Sequence, residues 1–524
     1  MFIVTMAIDT LPHYQRLLES EKQAPFPLSD SFLENTEFDS ISLRTFTDPY
    51  PLIVGKPQTY AFEANFMCSE LEFEDTFEKS SQVYLNADFE YFLMKLNEIK
   101  EYSKLLTQAR KRFKPTIPEK HQWFRFGGSS VWLPNLGVHY MVSRVLYSPS
   151  GIPNKAYVSF LYIQIFDQNW KELPKGTKFT IPFEERKTLY HTNIDGTFQT
   201  YQSDPKLNFK VVEYPQVLPI PIDYSLHTSS GKYYYGPEDP RIILRSNPFG
   251  FDEPLIVFNM KDLKLAKRTM FRYLPFSNNL QVFRKRNEPY AYIEKNWTPF
   301  LTPLPLANLP AAIINQLNIP SNRQVYLGWA RAHLNNCGCG ESMYRPNMVL
   351  LVEDYDKESD KFYYKMGDVS SYFDFGAHVP PWSDHSQVDQ GTGDEASIEN
   401  LQCHGRNVLI PNSIAYWEIS SVSKNDKTYY HFKDLTVSSA DALLFNDYMG
   451  VTLSGADQDV SIVHLRGLLN YVIKLPSLFD EETVVSSNDG LLLRGSDWNN
   501  KCAMYSSKEF CKEYGLRYGG GNTD

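Results

Sequence analysis

The chain lacks a basic excess: 52 Lys and Arg stand against 62 Asp and Glu, for a net charge of −10. A nucleic-acid binder would carry a basic stripe or patch instead. No stretch approaches the roughly 20 consecutive apolar residues of a membrane-spanning helix. The apolar start, Met1 to Ile8, is too short to be the core of a signal peptide with its flanks. The repeated CxxC spacing of a structural zinc site is missing as well. A soluble protein, or one that begins after a removed anchor, is what these absences leave.

Length and aromatic content say more. The 524 residues correspond to about three or four domain-sized units, although closed β architectures often run larger. A chain of this size buries a sizeable core without help from disulfides. Aromatics make up 15% of it, with 34 Tyr, 34 Phe and 8 Trp. Such enrichment suits strands, and it also suits carbohydrate sites, where flat sugar faces stack on rings.

Six cysteines occur, at 68, 337, 339, 403, 502 and 511. An even number is compatible with three bridges and a secretory compartment. Cys502 and Cys511 flank a short helical segment and are the expected pair. Cys337 and Cys339 are too close in sequence to bridge readily, so each is expected to reach elsewhere.

Residues 1 to about 80 read as an irregular lead-in punctuated by Pro and Asp. From Asn86 to Phe113 the pattern is helical, with Phe89, Phe92, Leu93, Leu96, Ile99 and Leu106 on one stripe. Arg110, Lys111 and Arg112 suit the negative end of the helix dipole, and Pro115 stops the helix. After Pro118 short β-prone runs take over, at Val138–Tyr147, Tyr157–Phe166, Ile242–Leu244, Leu255–Phe258, Tyr290–Ile293, Val325–Trp329, Met348–Val352 and Ser461–Leu465. Gly, Pro, Asn and Asp clusters separate them. Helical pattern is brief afterwards, at Ala311–Leu317 and Tyr471–Leu475. The expected class is mainly β, a sandwich array or a propeller. The expected division is an N-terminal extension over 1–117, a β domain over 118–495 and a C-terminal extension over 496–524. The polar stretch 379–400 is expected to be a long loop beside the site.

The most informative stretch is Gly236-Pro237-Glu238-Asp239-Pro240-Arg241. Two carboxylates and a guanidinium sit within four positions, and the prolines restrict the backbone around them. An ordinary turn with a structural Asp–Arg pair would explain this motif alone. Further polar clusters fall at the ends of other strands: Arg125 to Ser130, Glu294 to Trp297, Arg331 to Asn336, His404 to Asn407, and Gly455 to Asp459. Strand ends are where β scaffolds put their sites.

The Tyr235–Arg241 stretch, Glu294-Lys295-Asn296-Trp297-Thr298-Pro299-Phe300, His333–Met348 and Asp459–Gly467 resemble motifs of the fungal β-1,2-mannosyltransferases of the secretory pathway. The resemblance runs from about Gly127 to the C-terminus. More distantly, the Glu-Asp-Pro-Arg and Gly-Ala-Asp blocks are similar to those of the β-mannoside phosphorylases. That second resemblance implies a five-bladed β-propeller with its site on the axis. It implies that Asp239 matches the catalytic acid of the phosphorylases and that Lys295, Arg331 and Arg345 hold phosphate, with Arg268 and Arg272 as further cations. Asp457 falls where a sugar-binding aspartate is kept, although Asp459 is an equal match.

Together the resemblances imply an inverting transfer of mannose from GDP-mannose to a mannoside acceptor. In that reading Asp239 takes the acceptor proton, Arg241 keeps it ionised, and Glu238 grips a sugar hydroxyl. Ser129, Asn296, His333, Arg345, His404 and Asp457 contact substrate, while Lys295, Arg331 and Arg268 face the donor diphosphate. No cofactor is expected. Asp457-Gln458-Asp459 matches the metal-holding Asp-x-Asp string, but three-residue matches arise by chance in an acidic chain. Golgi residence, as the luminal domain of an anchored protein, is implied by the resemblance and by the even cysteine count, not by any segment of the sequence.

Overall fold

The computed structural model describes residues 25–46, 68, 72–185, 188–192, 198–222, 235–262, 267–283, 302–308, 323–335, 337, 342–356, 361–380, 406–421, 445–475, 478 and 494–517. These residues form a mainly β protein with few helices. The chain divides into two compact units. One joins Met1–Glu34 to Ala87–Pro299, and the other joins Asn35–Asn86 to Phe300–Asp524. These divisions differ from the linear cuts expected at 117 and 495.

The first unit holds the expected helical stripe, but as two helices, Phe89–Glu98 and Lys100–Phe113. The break is at Ile99, whose backbone is extended with φ −87° and ψ 103°. Asp88 caps the first helix by accepting the Tyr91 N–H at 3.0 Å. Lys114 closes the second in the left-handed region, one residue before Pro115. Phe92, Leu96, Tyr102, Leu105, Leu106 and Ala109 bury this stripe against Trp123, Tyr147, Phe160 and Tyr162.

Strands Trp123–Leu133, Val138–Tyr147 and Val158–Phe166 form an antiparallel sheet with the short strand Gln216–Val217. A second antiparallel sheet runs in plain chain order: Glu238–Ser246, Asp252–Asp262, Lys267–Leu274 and Asn279–Val282. Ile163, Ile165 and Tyr140 of the first sheet share one core with Ile242, Ile256, Phe258 and Tyr273 of the second.

The second unit corrects the expected irregular lead-in. Phe38–Phe46 and Glu72–Ser80 are paired antiparallel strands along their whole length. Their outward positions are charged or hydroxylated, which hid a strand pattern whose inward face is only Leu43, Phe77 and their neighbours. The pairings of this unit close into a barrel-like circuit of seven strands. It passes from Ser342–Asp356 through Lys361–Tyr372, Phe38–Phe46, Glu72–Ser80, Ser461–Arg466, Phe445–Gly455 and Arg406–Ser421, then back to Ser342–Asp356. Where separate blades were expected after residue 300, the strands share one continuous sheet. The joint between Ser342–Asp356 and Arg406–Ser421 is parallel. The interior is apolar, with Met348, Leu350, Met449, Val451, Leu453, Val463 and Leu465 fully buried.

A helix, Arg494–Arg517, ends the described chain. Its cysteines do not pair with each other. Nine residues of helix separate Cys502 from Cys511 by about 13 Å of rise, beyond the reach of a disulfide. Instead Cys502 bridges Cys68 and Cys511 bridges Cys337, with Cα separations of 5.5 and 5.6 Å. Cys339 and Cys403 lie outside the described residues. No helix among the described residues is long and apolar enough to cross a membrane.

Candidate active site

Asp239 sits at a β-bulge. Glu238 pairs with Asn259 and Arg241 with Val257, so one extra residue is accommodated between them. Pro240 lies inside that irregularity, where a missing N–H disturbs the ladder least. The Asp239 backbone has φ +51°, a left-handed conformation that non-glycine residues adopt rarely. The neighbouring Trp123–Leu133 strand bulges too, between Phe126 and Ser129, and Gly127 supplies φ +65° there. Ser129 ties the two irregular strands together. Its buried Oγ accepts the Ile242 N–H at 3.1 Å, so it serves as a strut for the motif.

The approach to the bulge is equally constrained. Ser159 donates its hydroxyl to the Pro237 carbonyl at 2.6 Å, and its N–H donates to the Tyr235 carbonyl at 2.9 Å. Gly236 between them has φ +84°, and an added Cβ would lie 2.1 Å from the Ser159 carbonyl oxygen. Gly236→Ala is therefore expected to destabilise the first unit by about 3 kcal/mol, combining left-handed strain with a backbone clash. Thermal unfolding checks this; an unchanged midpoint would mean the turn relaxes without cost.

Three guanidiniums surround the two carboxylates. Arg144 Nη1 approaches Asp239 Oδ1 at 3.4 Å, and its Nη2 approaches Glu238 Oε1 at 3.6 Å. Its plane also lies over the Phe126 ring, 5.2 Å from the centroid. Arg268 Nη1 reaches Glu238 Oε2 at 2.9 Å. Arg241 folds back, donating to the Pro240 carbonyl at 2.8 Å. Asn259 adds a donor, its Nδ2 standing 3.4 Å from Asp239 Oδ2. The group carries one net positive charge, three guanidiniums against two carboxylates.

Asp239 is the open member: 35% of its side-chain surface is exposed, against 11% for Arg144, 15% for Glu238 and 17% for Arg268. Its carboxyl titrates below the usual aspartate value. Burial works against its charge, but the positive charges of Arg144 and Arg241, the Asn259 hydrogen bond and the charge of Arg268 outweigh it. An accessible, firmly ionised carboxylate inside a cationic frame can orient a hydroxyl and receive its proton. Glu238, expected to grip a sugar hydroxyl, turns both oxygens towards arginines.

Arg144 was not among the residues singled out from the sequence. The signal was there: an arginine inside the wholly buried Val138–Tyr147 strand, a position that demands a carboxylate partner. Asn259 gave no such signal, being one polar residue on a strand.

The remaining candidates fall in the second unit or outside the described residues. Arg331 and His333 project from one exposed face of the Arg323–Asn335 strand. The Arg331 guanidinium covers the Tyr344 ring at 4.5 Å, and the His333 ring meets the same tyrosine edge-on at 4.6 Å. Arg345 belongs to the opposite, buried face. Its guanidinium lies over Phe510 and Tyr514 of the C-terminal helix, at 5.6 and 5.2 Å, and donates to the Tyr344 carbonyl at 2.9 Å. That is the position of a helix anchor, at odds with the expected phosphate or substrate contact. Asp457 is half-buried in the hairpin turn after Phe445–Gly455, with φ +55°. Asp459 uses Oδ1 to accept the Gly455 N–H at 2.7 Å, so half of the Asp-x-Asp string already holds the turn. Among the described residues no group of three or more His, Cys, Asp and Glu is arranged to hold a metal ion. Lys295, Asn296 and His404 lie outside the described residues.

A family model described as beta-mannosyltransferases matches residues 67–284 and 303–510. Beta-mannosyltransferase 7 of Candida albicans is 46% identical over 96% of this chain and 86% of its own length. Beta-mannosyltransferase 8 of the same organism is 29% identical, covering 76% of this chain and 68% of its own. Beta-mannosyltransferase 3 of Komagataella phaffii is 27% identical, covering 86% and 74%. Among solved structures, a glycoside hydrolase chain aligns over 67% of this chain and 89% of its own with a TM-score of only 0.19 and 8% identity. With matched segments on both sides of residue 300 and one relative near half identity, the chain belongs to the β-mannosyltransferase family.

Proposed function

We propose that this enzyme transfers mannose from GDP-mannose to a mannoside acceptor, inverting the anomeric centre to form a β-1,2 bond in cell-wall mannan. The observation that carries the reading is the ionised, partly exposed Asp239 carboxylate framed by Arg144, Arg241 and Arg268. A β-mannoside made from an α-linked nucleotide sugar needs one in-line displacement. The acceptor hydroxyl becomes more acidic as its oxygen bonds to the anomeric carbon, so a carboxylate of low basicity suffices if it lies within hydrogen-bond reach. Asp239 is that acceptor of the proton. The diphosphate leaves as an anion and needs charge stabilisation, not a proton, a task for Lys295. No cofactor enters this scheme. Residence in the Golgi lumen is part of the same proposal.

The blade-like reading of the fold is kept as a proposal for the first unit alone. Its support is the four-stranded antiparallel meander Glu238 to Val282, whose first strand carries Asp239.

Incubating the purified protein with GDP-mannose and a panel of mannosides, then reading the new linkage by NMR, tests the function. Formation of a β-1,2-mannoside and release of GDP are expected, and repeating the assay with EDTA tests for a metal requirement. Release of mannose 1-phosphate from β-1,2-mannobiose and phosphate, with no turnover of GDP-mannose, would replace the reading with a phosphorylase.

A further inference from the structure

We infer that Asn259 is a positioning residue of the transfer reaction, fixing the orientation of the Asp239 carboxylate through a closed ring of side chains. The inference rests on the proposed role of Asp239. The ring runs from Asp239 Oδ1 to Arg144 Nη1 at 3.4 Å, and from Arg144 Nη2 to Glu238 Oε1 at 3.6 Å. It continues from Glu238 Oε2 to Arg268 Nη1 at 2.9 Å. Arg268 Nη1 donates to Asn259 Oδ1 at 2.7 Å, and Asn259 Nδ2 returns to Asp239 Oδ2 at 3.4 Å. The same Nδ2 donates to the Glu238 carbonyl at 3.1 Å, holding the backbone on the N-terminal side of the bulge.

Two features make the carboxamide a director, beyond a filler. Its oxygen accepts from a guanidinium that has no acceptor capacity, so its nitrogen must be the end facing Asp239 and the amide cannot flip. Asn259 is 1% exposed, so no water competes for either end. Among the described residues each Asp239 oxygen is thereby held by one partner, Arg144 on Oδ1 and Asn259 on Oδ2. One lone pair on each stays available to an incoming hydroxyl. Arg268 then acts through Asn259 and Glu238 as part of the frame, a role different from the diphosphate contact expected from its sequence position.

Asn259→Asp is the sharpest test, since the shape and the Arg268 contact survive while the donor to Asp239 becomes a like charge. A carboxylate beside Asp239 raises its pKa. Because Asp239 must be ionised to accept a proton, the acid limb of kcat/KM should move up by about one pH unit, with kcat down about tenfold at neutral pH and donor KM within about twofold of wild type. Asn259→Leu should lower kcat by a similar factor and also lift the acid limb, because a hydrogen bond to the ionised form is lost. A residue that only closes the bulge would lower the melting temperature and leave the limb and kcat in place; that result in Asn259→Asp overturns the inference. If Asp239→Asn retains full turnover, the catalytic reading fails. An inactive Asp239→Asn beside an unshifted Asn259→Asp profile sinks this inference alone.

Discussion

Asp239→Asn is expected to reduce mannosyl transfer by about a thousandfold, the usual scale for removing a positioned general base. The amide is isosteric and can still accept from Asn259 Nδ2, which stands 3.4 Å away. It loses the charge that faces Arg144 at 3.4 Å and the capacity to take a proton from the acceptor hydroxyl. Folding should survive, because Glu238 still spans Arg144 and Arg268. GDP affinity measured by calorimetry should be little changed, since the proposed scheme gives the diphosphate to cationic groups and leaves this carboxylate to the acceptor hydroxyl. The pH profile supplies a second check. The surrounding positive charges hold the Asp239 carboxyl below its ordinary value of 3.8. Half of wild-type kcat/KM should therefore be lost to protonation of this group only at a pH below that value. Turnover near wild type in the variant would remove Asp239 from the chemistry; an acid limb in the neutral range would assign the base to another group.

Breaking the Cys337–Cys511 bridge should cost stability. The substitution pair Cys337→Ala and Cys511→Ala is expected to cost about 2–5 kcal/mol, as removal of native disulfides commonly does. The two bridges of the Arg494–Arg517 helix span 434 and 174 residues of sequence. Loop-closure entropy grows only slowly with length, so their contributions should be similar. The first effect should be local. Phe510 and Tyr514 cover the Arg345 guanidinium, whose burial disfavours its charge and brings its pKa down from the usual arginine value. Detaching the helix would give that charge back to water, so the release offsets part of the packing lost. Limited proteolysis within 494–517, alongside denaturant unfolding, reads both consequences. An unfolding midpoint equal to wild type, with the helix still protected, would show that packing alone holds it.

Much of the local structure was legible in the residues. The Val138–Tyr147 strand has the expected bounds because its ten residues are rich in Val, Tyr, Met and Leu and lie between Gly137 and Ser148, which punctuate the chain. Ser461–Leu465 and Met348–Val352 likewise fall inside observed strands. The Asn86–Phe113 stripe was legible as helix, but the kink at Ile99 was not, since a β-branched residue on the apolar face fits a continuous helix equally well. Phe38–Phe46 was missed because solvent-facing charges interrupt its alternation, and its partner strand lies 34 residues later in an equally charged segment.

The sequence alone decided the chemistry on offer: carboxylates and a guanidinium between two prolines, an aromatic-rich β scaffold, and motifs that mark the β-mannosyltransferase family. Only the tertiary structure decided which charges face one another. Arg144, 95 positions before Asp239, and Asn259, 20 positions after it, converge on one carboxylate because two bulged strands and their neighbours meet there. Arg345 instead lies under the C-terminal helix, against Phe510 and Tyr514, and disulfides tie that helix to Cys68 and Cys337. Pairing at long sequence separation is set by burial and closure of sheets, which no local spacing records.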